Sequence, residues 1–468
     1  MKKKAIAGVA CAALLAASLC TACASGNASD SSGSGSMSAA SDSMSGSGAP
    51  PDGGGSGGPG GQSADFEYAA ATEITTADTQ DGQTYASSTA DESALIVNTN
   101  EDVTLTNFTV SKTGDSDGGD NCNFYGLNAA VLVMGGSNTT ISGATIESSA
   151  SGANGVFSYG GNGGQNGASG DGTTVTISDS TITTTGDGSG GIMTTGGGIM
   201  NASNLTVETS GRSSAAIRTD RGGGTVYVDG GSYTSNGLGS PAIYSTADIT
   251  VSNATLASNL SEGVCIEGKN SVTLVNSDLT ANNTQRNGNA TFLDTIMIYQ
   301  SMSGDADSGT STFTMTGGSL VSKSGHVFHV TNTNAVITLT GVRVVNEDAA
   351  GVLLSVCADG WSGASNIATL NAQGQVLEGA LLVGSDSTLT LNLADGSSFT
   401  GYIGGEITNA AGETVSSEVG TVNVTLDASS SWTLTGDTYV TSFDGDAANV
   451  VANGYTLYVN GEALSGTK

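Results

Sequence analysis

The clearest feature of the chain is a short pattern of apolar residues that recurs along most of its length. An apolar residue is followed by a second one two positions later and by a third one seven positions after the first. The stretch before the third position is rich in Asn, Asp and Gly, which predicts a strand, a corner and the next strand. The copies are Val103/Leu105/Val110, Thr139/Ile141/Ile146, Val175/Ile177/Ile182, Gly198/Met200/Leu205, Val226/Val228/Tyr233, Ile249/Val251/Leu256, Val272/Leu274/Leu279, Phe313/Met315/Leu320 and Ile337/Leu339/Val344.

A second short strand precedes most copies. Its inward-facing pairs are Val131/Val133, Val156/Ser158, Ile192/Thr194, Ile217/Thr219, Ile243/Ser245, Val264/Ile266, Ile296/Ile298, Phe328/Val330 and Val352/Leu354. Most of these pairs begin 21 to 26 residues apart, which suits one coil of a three-sided solenoid. The longer intervals carry insertions, such as Gly160–Gly172 and Asn282–Asn289. The sequence therefore predicts an all-β fold, a single-stranded parallel β-helix.

The two ends of the repeat region differ from its middle. We place the regular β-helix at residues 65–383 and interpret residues 384–468 as terminal coils and a C-terminal cap. In that last segment the pairs Leu389/Leu391 and Val422/Val424 suggest narrower coils, and Tyr455, Leu457 and Val459 suggest a final strand. A cap is expected because the end of a solenoid otherwise exposes strand edges.

The N-terminus has the composition of an export signal. Three lysines precede an apolar run from Ala5 to Leu19 that is short for a membrane span, and small residues follow. We interpret residues 1–22 as a lipoprotein signal peptide with Cys23 as the acylated residue, and keep plain secretion as the alternative. Residues 23–64 are rich in Gly and Ser and predict a flexible tether. The expected location is the outer side of a bacterial cell membrane.

The charge balance is strongly acidic, with 12 Lys and Arg against 43 Asp and Glu. This balance argues against nucleic acid as a partner, because phosphate backbones attract basic surfaces. Beyond Cys23, the cysteines Cys122, Cys265 and Cys357 are too far apart for a disulfide scaffold or a metal motif. Stability must therefore come from a β core.

Five coil segments carry a family resemblance, namely Phe124–Val131, Arg218–Thr225, Gly239–Thr246, Glu267–Ser271 and Tyr299–Asp305. They resemble a recurrent family of bacterial right-handed β-helix proteins with the pectin-lyase-like fold. The similarity extends from about Tyr85 to Asn460. It implies a right-handed β-helix and an uncharacterised, adhesin-like surface role, but it supplies no catalytic motif.

Alternation along the strands predicts an apolar strip on the outer side of one sheet. We expect this strip to bind a glycan or a cell-surface partner, unless insertions fold over it or the segment next to the tether buries this sheet. The strip comprises Leu132, Phe157, Met193, Tyr244, Met297 and Tyr299.

Charged residues interrupt the middle of the strip. Arg218, Asp220, Glu267 and Lys269 would be the catalytic candidates if the protein were a polysaccharide lyase, in which a basic residue removes the proton beside a uronate carboxylate. The alternative interpretation is a stabilising ladder of opposite charges, Arg218 with Asp220 and Lys269 with Glu267.

Metal chemistry has weaker support. Asp115, Asp117 and Asp120 lie in a glycine-containing loop and form a candidate calcium site. Calcium is the only cofactor that the sequence suggests. His326 and His329 are spaced by three along a strand, so we expect them to face opposite sides of the sheet.

The leading functional hypothesis is a non-catalytic, monomeric surface lipoprotein that binds a glycan or another partner, with the membrane contacted through the lipid. The first alternative is a lyase acting on acidic glycans. The second is a purely structural envelope protein.

Overall fold

The computed structural model describes residues 66–468, and almost all of their regular structure is short parallel β-strand. The strands form three long parallel sheets, and the chain passes through sheets 1, 2 and 3 in turn in each coil. Connections between parallel strands are almost always right-handed because of strand twist. The predicted right-handed, single-stranded parallel β-helix is confirmed.

Sheet 1 has thirteen strands. They are Ala69–Ile74, Glu92–Asn98, Val131–Met134, Val156–Tyr159, Ile192–Thr195, Ile217–Thr219, Ile243–Ser245, Val264–Glu267, Asp294–Tyr299, His326–Thr331, Val352–Val356, Ala380–Val383 and Ile403–Gly404.

Sheet 2 follows the first corner of each coil. Its strands are Asp78–Asp81, Asp102–Thr106, Asn138–Ser142, Thr174–Ser178, Gly198–Thr209, Gly224–Ser235, Asp248–Ser252, Ser271–Val275, Thr310–Thr316, Asn334–Thr340, Asn366–Gln373, Ser387–Ala394, Thr421–Leu426 and Ser442–Asp444.

Sheet 3 shares the two long strands Gly198–Thr209 and Gly224–Ser235 with sheet 2. Its other strands are Thr84–Ser87, Thr109–Lys112, Thr145–Ser148, Thr181–Thr184, Thr255–Ser258, Asp278–Ala281, Ser319–Ser322 and Arg343–Asn346, continued by Val376–Glu378, Ser398–Gly401, Ser431–Leu434 and Val450–Val451.

The remaining elements are small. Helix α1 spans Asp120–Phe124, and a 3₁₀ turn spans Ala447–Asn449. Ile407–Thr408 and Thr414–Ser416 form an antiparallel hairpin. At the C-terminus Thr438–Val440 pairs in parallel with Leu457–Val459, which pairs antiparallel with Glu462–Ala463.

The apolar triplets form the core between the three sheets. The first two members of each triplet lie on sheet 2 and the third lies on sheet 3, as Val103, Leu105 and Val110 do. The predicted triplet Gly198/Met200/Leu205 is wrong by two residues, because Val175 pairs with Met200 and Ile177 pairs with Ala202. Ala202 contributes little apolar signal, which is why the pattern missed it.

The corner between sheets 2 and 3 explains the abundance of Asn, Asp and Gly. Asn107, Asp179, Asn204 and Asn253 occupy the left-handed region, with φ between 49° and 55°. Asn and Asp tolerate this conformation better than other side chains apart from Gly. Because each coil turns at the same point, these corner residues stack above one another.

The corner before sheet 1 breaks the alternation of side chains. Ala130, Ala216, Ala242 and Val327 each precede the first inward residue of a strand, and they also belong to the core between the sheets. Two consecutive residues therefore point inwards at this corner. As a result, residues spaced by three across it lie on the same, outer side of sheet 1.

The last predicted pair on sheet 1 is wrong by two residues. Phe328 pairs with Leu354 and Val330 pairs with Val356, because the strand is irregular between Val352 and Leu354. Ser355, rather than Leu353, therefore lies beside His329 on the outer side of the sheet.

Candidate functional site

The outer side of sheet 1 is covered by insertions. All six residues of the predicted strip lie on that side, but each is at most 2 % exposed. The expectation of an open apolar strip is therefore wrong, and the alternative, in which insertions fold over it, is the one observed. The residues are Leu132, Phe157, Met193, Tyr244, Met297 and Tyr299.

The cover differs along the solenoid. Near the N-terminal end, Phe124 and Tyr125 pack with Leu132 and Phe157 of the strip. In the middle, Ala290 and Trp361, both from insertions, pack with the strip residues Met297 and Tyr299. Further on, Phe292 and Ile407 cover the next strands. The apolar residues on the outer side of the sheet thus form three smaller clusters, separate from the core between the sheets.

A buried ion pair occupies the charged centre of the covered surface. Arg218 Nη2 lies 2.8 Å from Asp220 Oδ2, and both side chains are 1 % exposed. Arg218 Nη1 also donates to the carbonyl of Ser213 at 3.1 Å. The predicted pairing of Arg218 with Asp220 is confirmed. Arg218 cannot act as a base on a polysaccharide in this arrangement, because it is paired and shielded from solvent.

A second arginine anchors the insertion between Tyr299 and Thr310. Arg221 Nε donates to Asp305 Oδ1 at 2.9 Å, and the guanidinium lies over the ring of Phe124, 4.2 Å from its centroid. Both contacts favour the charged guanidinium. Arg221 therefore connects helix α1, the coil and the insertion.

Glu267 is held by hydroxyl groups and not by a lysine. Its Oε2 accepts hydrogen bonds from Tyr244 at 2.7 Å and from Tyr299 at 3.0 Å, and Ser301 donates to Oε1. Burial raises the pKa of Glu267, although these hydroxyl donors oppose the shift. Lys269 instead pairs with Asp307 at 2.7 Å, at the surface. The predicted ladder of Lys269 with Glu267 is therefore wrong, because the chain turns after Glu267.

An open cleft of about 350 Å³ lies at the corner between sheets 1 and 2. Its floor is formed by the corners of four coils, and its walls by two insertions; we call it the insertion cleft. The residues that line it are 166–170, Gly197, 222–225, 246–248, Lys269, Asn270, Ala306 and Asp307.

The two walls of the insertion cleft are connected to each other and to the floor. Asn166 Oδ1 accepts a hydrogen bond from the backbone N–H of Gly222 at 3.0 Å, and Asn166 Nδ2 donates to the carbonyl of Gly304 at 3.1 Å. Asn162 Nδ2 donates to the carbonyl of Gly222 at 2.9 Å. These bonds fix a cleft whose lining is mostly polar side chains and glycine backbone.

The two histidines lie on the same side of sheet 1, contrary to the prediction. Nδ1 of His326 and Nδ1 of His329 lie 2.7 Å and 2.8 Å from Ser355 Oγ. The cause is the corner at which Val327 and Phe328 both point inwards. His329 Nε2 lies 3.3 Å from Asp359 Oδ2, but the two atoms are not aligned for a hydrogen bond.

The serine and histidine cluster does not form an accessible nucleophilic site. Ser355 and His329 are fully buried. The ring of Phe292 stacks on His329 with centroids 4.5 Å apart. Because Ser355 is buried, a substrate cannot reach its Oγ in this conformation.

The predicted calcium ligands do not meet. Asp115 Oδ1 accepts from the backbone N–H of Ser151, whereas Asp120 lies in the first turn of helix α1. Within residues 66–468, no group of three or more His, Cys, Asp and Glu is arranged to hold a metal ion, so Asp117 completes no such set.

The predicted signal peptide at residues 1–22, the predicted acylation site Cys23 and the predicted tether at 23–64 lie outside the described residues. In the described part of the chain, no helix has the length and apolarity needed to cross a membrane. Cys122, Cys265 and Cys357 are free and buried.

The sequence patterns did not predict the insertion cleft, to whose lining Asn166 and Asp307 contribute. The sequence does carry an indication of these residues, since each lies in a Gly-, Asn- or Asp-rich insertion that lengthens a coil. The chain matches no family model, no curated protein and no solved structure.

Proposed function

We propose that the protein is a non-catalytic, surface-displayed β-helix lipoprotein that binds a glycan in the insertion cleft. The observation that supports this proposal is the cleft itself, whose volume of about 350 Å³ falls within the range of ligand pockets. The apolar strip has no part in the proposal, because it is buried.

The lining of the insertion cleft has the chemistry that sugar recognition needs. Ser169, Thr246, Asp248, Asn270 and Asp307 supply hydroxyl, amide and carboxylate groups. The hydroxyl and amide groups both donate and accept hydrogen bonds, and the carboxylates accept them, so together they match sugar hydroxyls. The glycines leave backbone open to close approach by a ligand. A neutral or basic sugar fits the acidic lining better than an acidic one.

A steric block tests the cleft. Ser169→Trp fills it with an indole from an exposed position, and Thr316→Trp places the same side chain on the outer side of sheet 2 as a control. Both variants and the parent protein are screened on a glycan array, and hits are measured by calorimetry. We expect at least a tenfold loss of affinity in Ser169→Trp only. Equal binding by all three proteins would refute the cleft as the site.

The lipid anchor is part of the same proposal. Acylation at Cys23 would hold the β-helix at the membrane, with the segment 23–64 as a spacer. Cys23→Ser should move the protein from the membrane fraction to the medium and abolish incorporation of labelled fatty acid. Retention of both properties by the variant would contradict lipidation at Cys23.

A lyase is the second candidate, because Lys269 lies at the insertion cleft and its side chain is 51 % exposed. The protein would be incubated with acidic polysaccharides with and without Ca²⁺, and unsaturated products would be followed by ultraviolet absorbance. A lyase predicts activity that Lys269→Met removes and that Lys323→Met, at another exposed lysine, retains. No absorbance change with any substrate would leave binding, or a purely structural envelope role, as the function.

A further inference from the structure

Lys112 is a fully buried lysine at the end of a strand of sheet 3. It is 0 % exposed, and it takes no part in the ion pairs found among residues 66–468. Its Nζ donates instead to two neutral acceptors, the carbonyl of Thr89 at 3.0 Å and the carbonyl of Gly114. A buried ammonium without a compensating charge is strongly unfavourable. The neutral amine fits this place better, because its two N–H groups match the two carbonyls and its lone pair stays free.

The position of Lys112 in the coil does not require a lysine. Ser87 occupies it in the preceding coil and Ser148 in the following one. In a later coil the same position holds Thr209, which donates to the carbonyl of Ser214 at 2.5 Å. A hydroxyl is therefore enough to satisfy a carbonyl at this corner, and this task alone does not account for a lysine. Burial lowers the pKa of Lys112, although nearby carboxylates oppose the shift, and so favours the nucleophilic amine.

A side-chain amide meets this amine at the same carbonyl. Asn128 Nδ2 donates to the carbonyl of Gly114 at 3.0 Å and to the carbonyl of Ser151 at 3.2 Å. Because the oxygen of Gly114 accepts from both Lys112 Nζ and Asn128 Nδ2, these two nitrogens lie roughly 3–5 Å apart. Asn128 is 1 % exposed, and its Oδ1 is buried without a hydrogen-bond partner. Burial of both groups keeps bulk water away from the amide carbon.

We propose that the side chains of Lys112 and Asn128 join in an isopeptide bond. The Nζ lone pair attacks Asn128 Cγ, the bond from Cγ to Nδ2 breaks, and Nδ2 leaves as ammonia with one proton of the amine. Glu92 lies near Lys112 and accepts a hydrogen bond from Ser87 at 2.8 Å, and its carboxyl carries this proton from Nζ to Nδ2. The loss of ammonia balances the reaction, which needs no further reactant and does not depend on glycan binding.

The bond would fasten one of the covers of sheet 1. Lys112 ends a strand of sheet 3, and Asn128 comes just before the sheet 1 strand Val131–Met134. The closed ring therefore includes the insertion with helix α1, whose Phe124 packs on the strip. A covalent ring restricts the unfolded chain and so favours the folded state, as a disulfide does.

The test is peptide mass spectrometry on the full chain, folded first, then unfolded in urea and digested on the N-terminal side of aspartates. This cleavage separates residues 102–114, which contain Lys112, from residues 120–170, which contain Asn128. We expect the two peptides to stay joined, with a mass lower than their sum by that of one ammonia. Recovery of the two peptides only in separate, unmodified form would overturn the proposal.

Matched variants locate the bond, with circular dichroism to show that each of them folds. Lys112→Met removes the amine, and Asn128→Gly removes the amide while suiting the left-handed backbone there, with φ of 66°. Both should lose the joined peptide completely, whereas Lys323→Met, at an exposed lysine, should keep it. Glu92→Gln keeps the shape of the side chain and should lower the joined fraction at least tenfold. A joined peptide in Asn128→Gly would refute Asn128 as the partner, and an unchanged yield in Glu92→Gln would refute the role of Glu92.

Discussion

The position of a residue in the coil determines which residue types occur there. The left-handed corner between sheets 2 and 3 is occupied by Asn, Asp or Gly, and some side chains of stacked corners form hydrogen bonds with each other. Asn253, with φ of 55°, donates to Asp229 Oδ1 at 2.7 Å. The corner residue therefore serves both the local backbone and the contact between coils.

Asn253 offers a clean comparison of these two roles. Asn253→Ala should destabilise the protein by about 1–2 kcal/mol, because alanine is strained at positive φ and the bond to Asp229 is lost. Asn253→Gly should cost less, since glycine adopts this conformation without strain. Urea unfolding followed by circular dichroism measures both. Equal losses would mean that the hydrogen bond, and not the backbone, dominates.

His326 should make the protein sensitive to acid. Burial, and secondly the proximity of His329, lowers the pKa of His326 from 6.5 to about 3. The unfolded chain therefore takes up the proton at a higher pH than the folded chain does. The contribution of His326 to the free energy of unfolding is fully present above pH 6.5 and is lost as the pH drops towards 3. The expected loss is about 2–5 kcal/mol, and the lower value applies if partial exposure of the ring weakens the effect.

The variant His326→Gln isolates this contribution, since glutamine does not titrate and can still bond to Ser355. The free energy of unfolding is compared at pH 7 and pH 4 in the parent and the variant. We expect the parent to lose more stability than the variant over this interval. Identical losses would show that other groups cause the acid sensitivity.

At the scale of elements, the insertions behave as covers for the outer side of sheet 1. The hairpin of Ile407–Thr408 and Thr414–Ser416 is the simplest case, because Ile407 packs with Phe292 and Leu382. Its tip also bonds to the neighbouring insertion, from the N–H of Ala410 to the carbonyl of Thr291 at 3.0 Å.

Replacing residues 406–417 with two glycines should expose that apolar cluster while leaving the coils intact. We expect greater fluorescence of a hydrophobic dye and a lower thermal midpoint, with the far-ultraviolet β signal unchanged. The control variant replaces the exposed residues 284–286 by glycines and so removes no buried side chain. Dye binding that rises equally in both variants would argue against a covering role.

For the whole molecule, the ends of the solenoid matter most. Each coil contacts mainly its neighbours, so stability is a sum over coils and their interfaces. At the C-terminal end, the three-stranded sheet of Thr438–Val440, Leu457–Val459 and Glu462–Ala463 follows the last regular coils.

Truncation after Gly436 tests whether this segment acts as a cap. The shortened protein should expose the strand edge of Thr421–Leu426, which pairs with Ser442–Asp444 in the intact chain. We expect oligomers or aggregates by size-exclusion chromatography with light scattering, whereas the full-length protein stays in one discrete peak. If the truncated protein elutes like the intact one, the exposed strand edge does not promote association and the segment is not needed as a cap.

The sequence by itself determined the fold class, most of the strand register and the corner chemistry. Each of these follows from local rules, namely the period of two along a strand and the need for Asn, Asp or Gly at positive φ. Even the pair of Arg218 with Asp220 could be predicted, because Asp220 directly follows the strand of Arg218 and a spacing of two residues keeps both on one side.

Only the tertiary structure decided what lies over sheet 1. Alternation tells which side a residue faces, but not whether an insertion from another coil covers it, so Tyr244 and Met297 proved buried. It also decided that His326 and His329 meet at Ser355, because two residues turn inwards at the corner between them. The insertion cleft arises in the same way, from contacts between segments that are distant in sequence and carry no local pattern of their own.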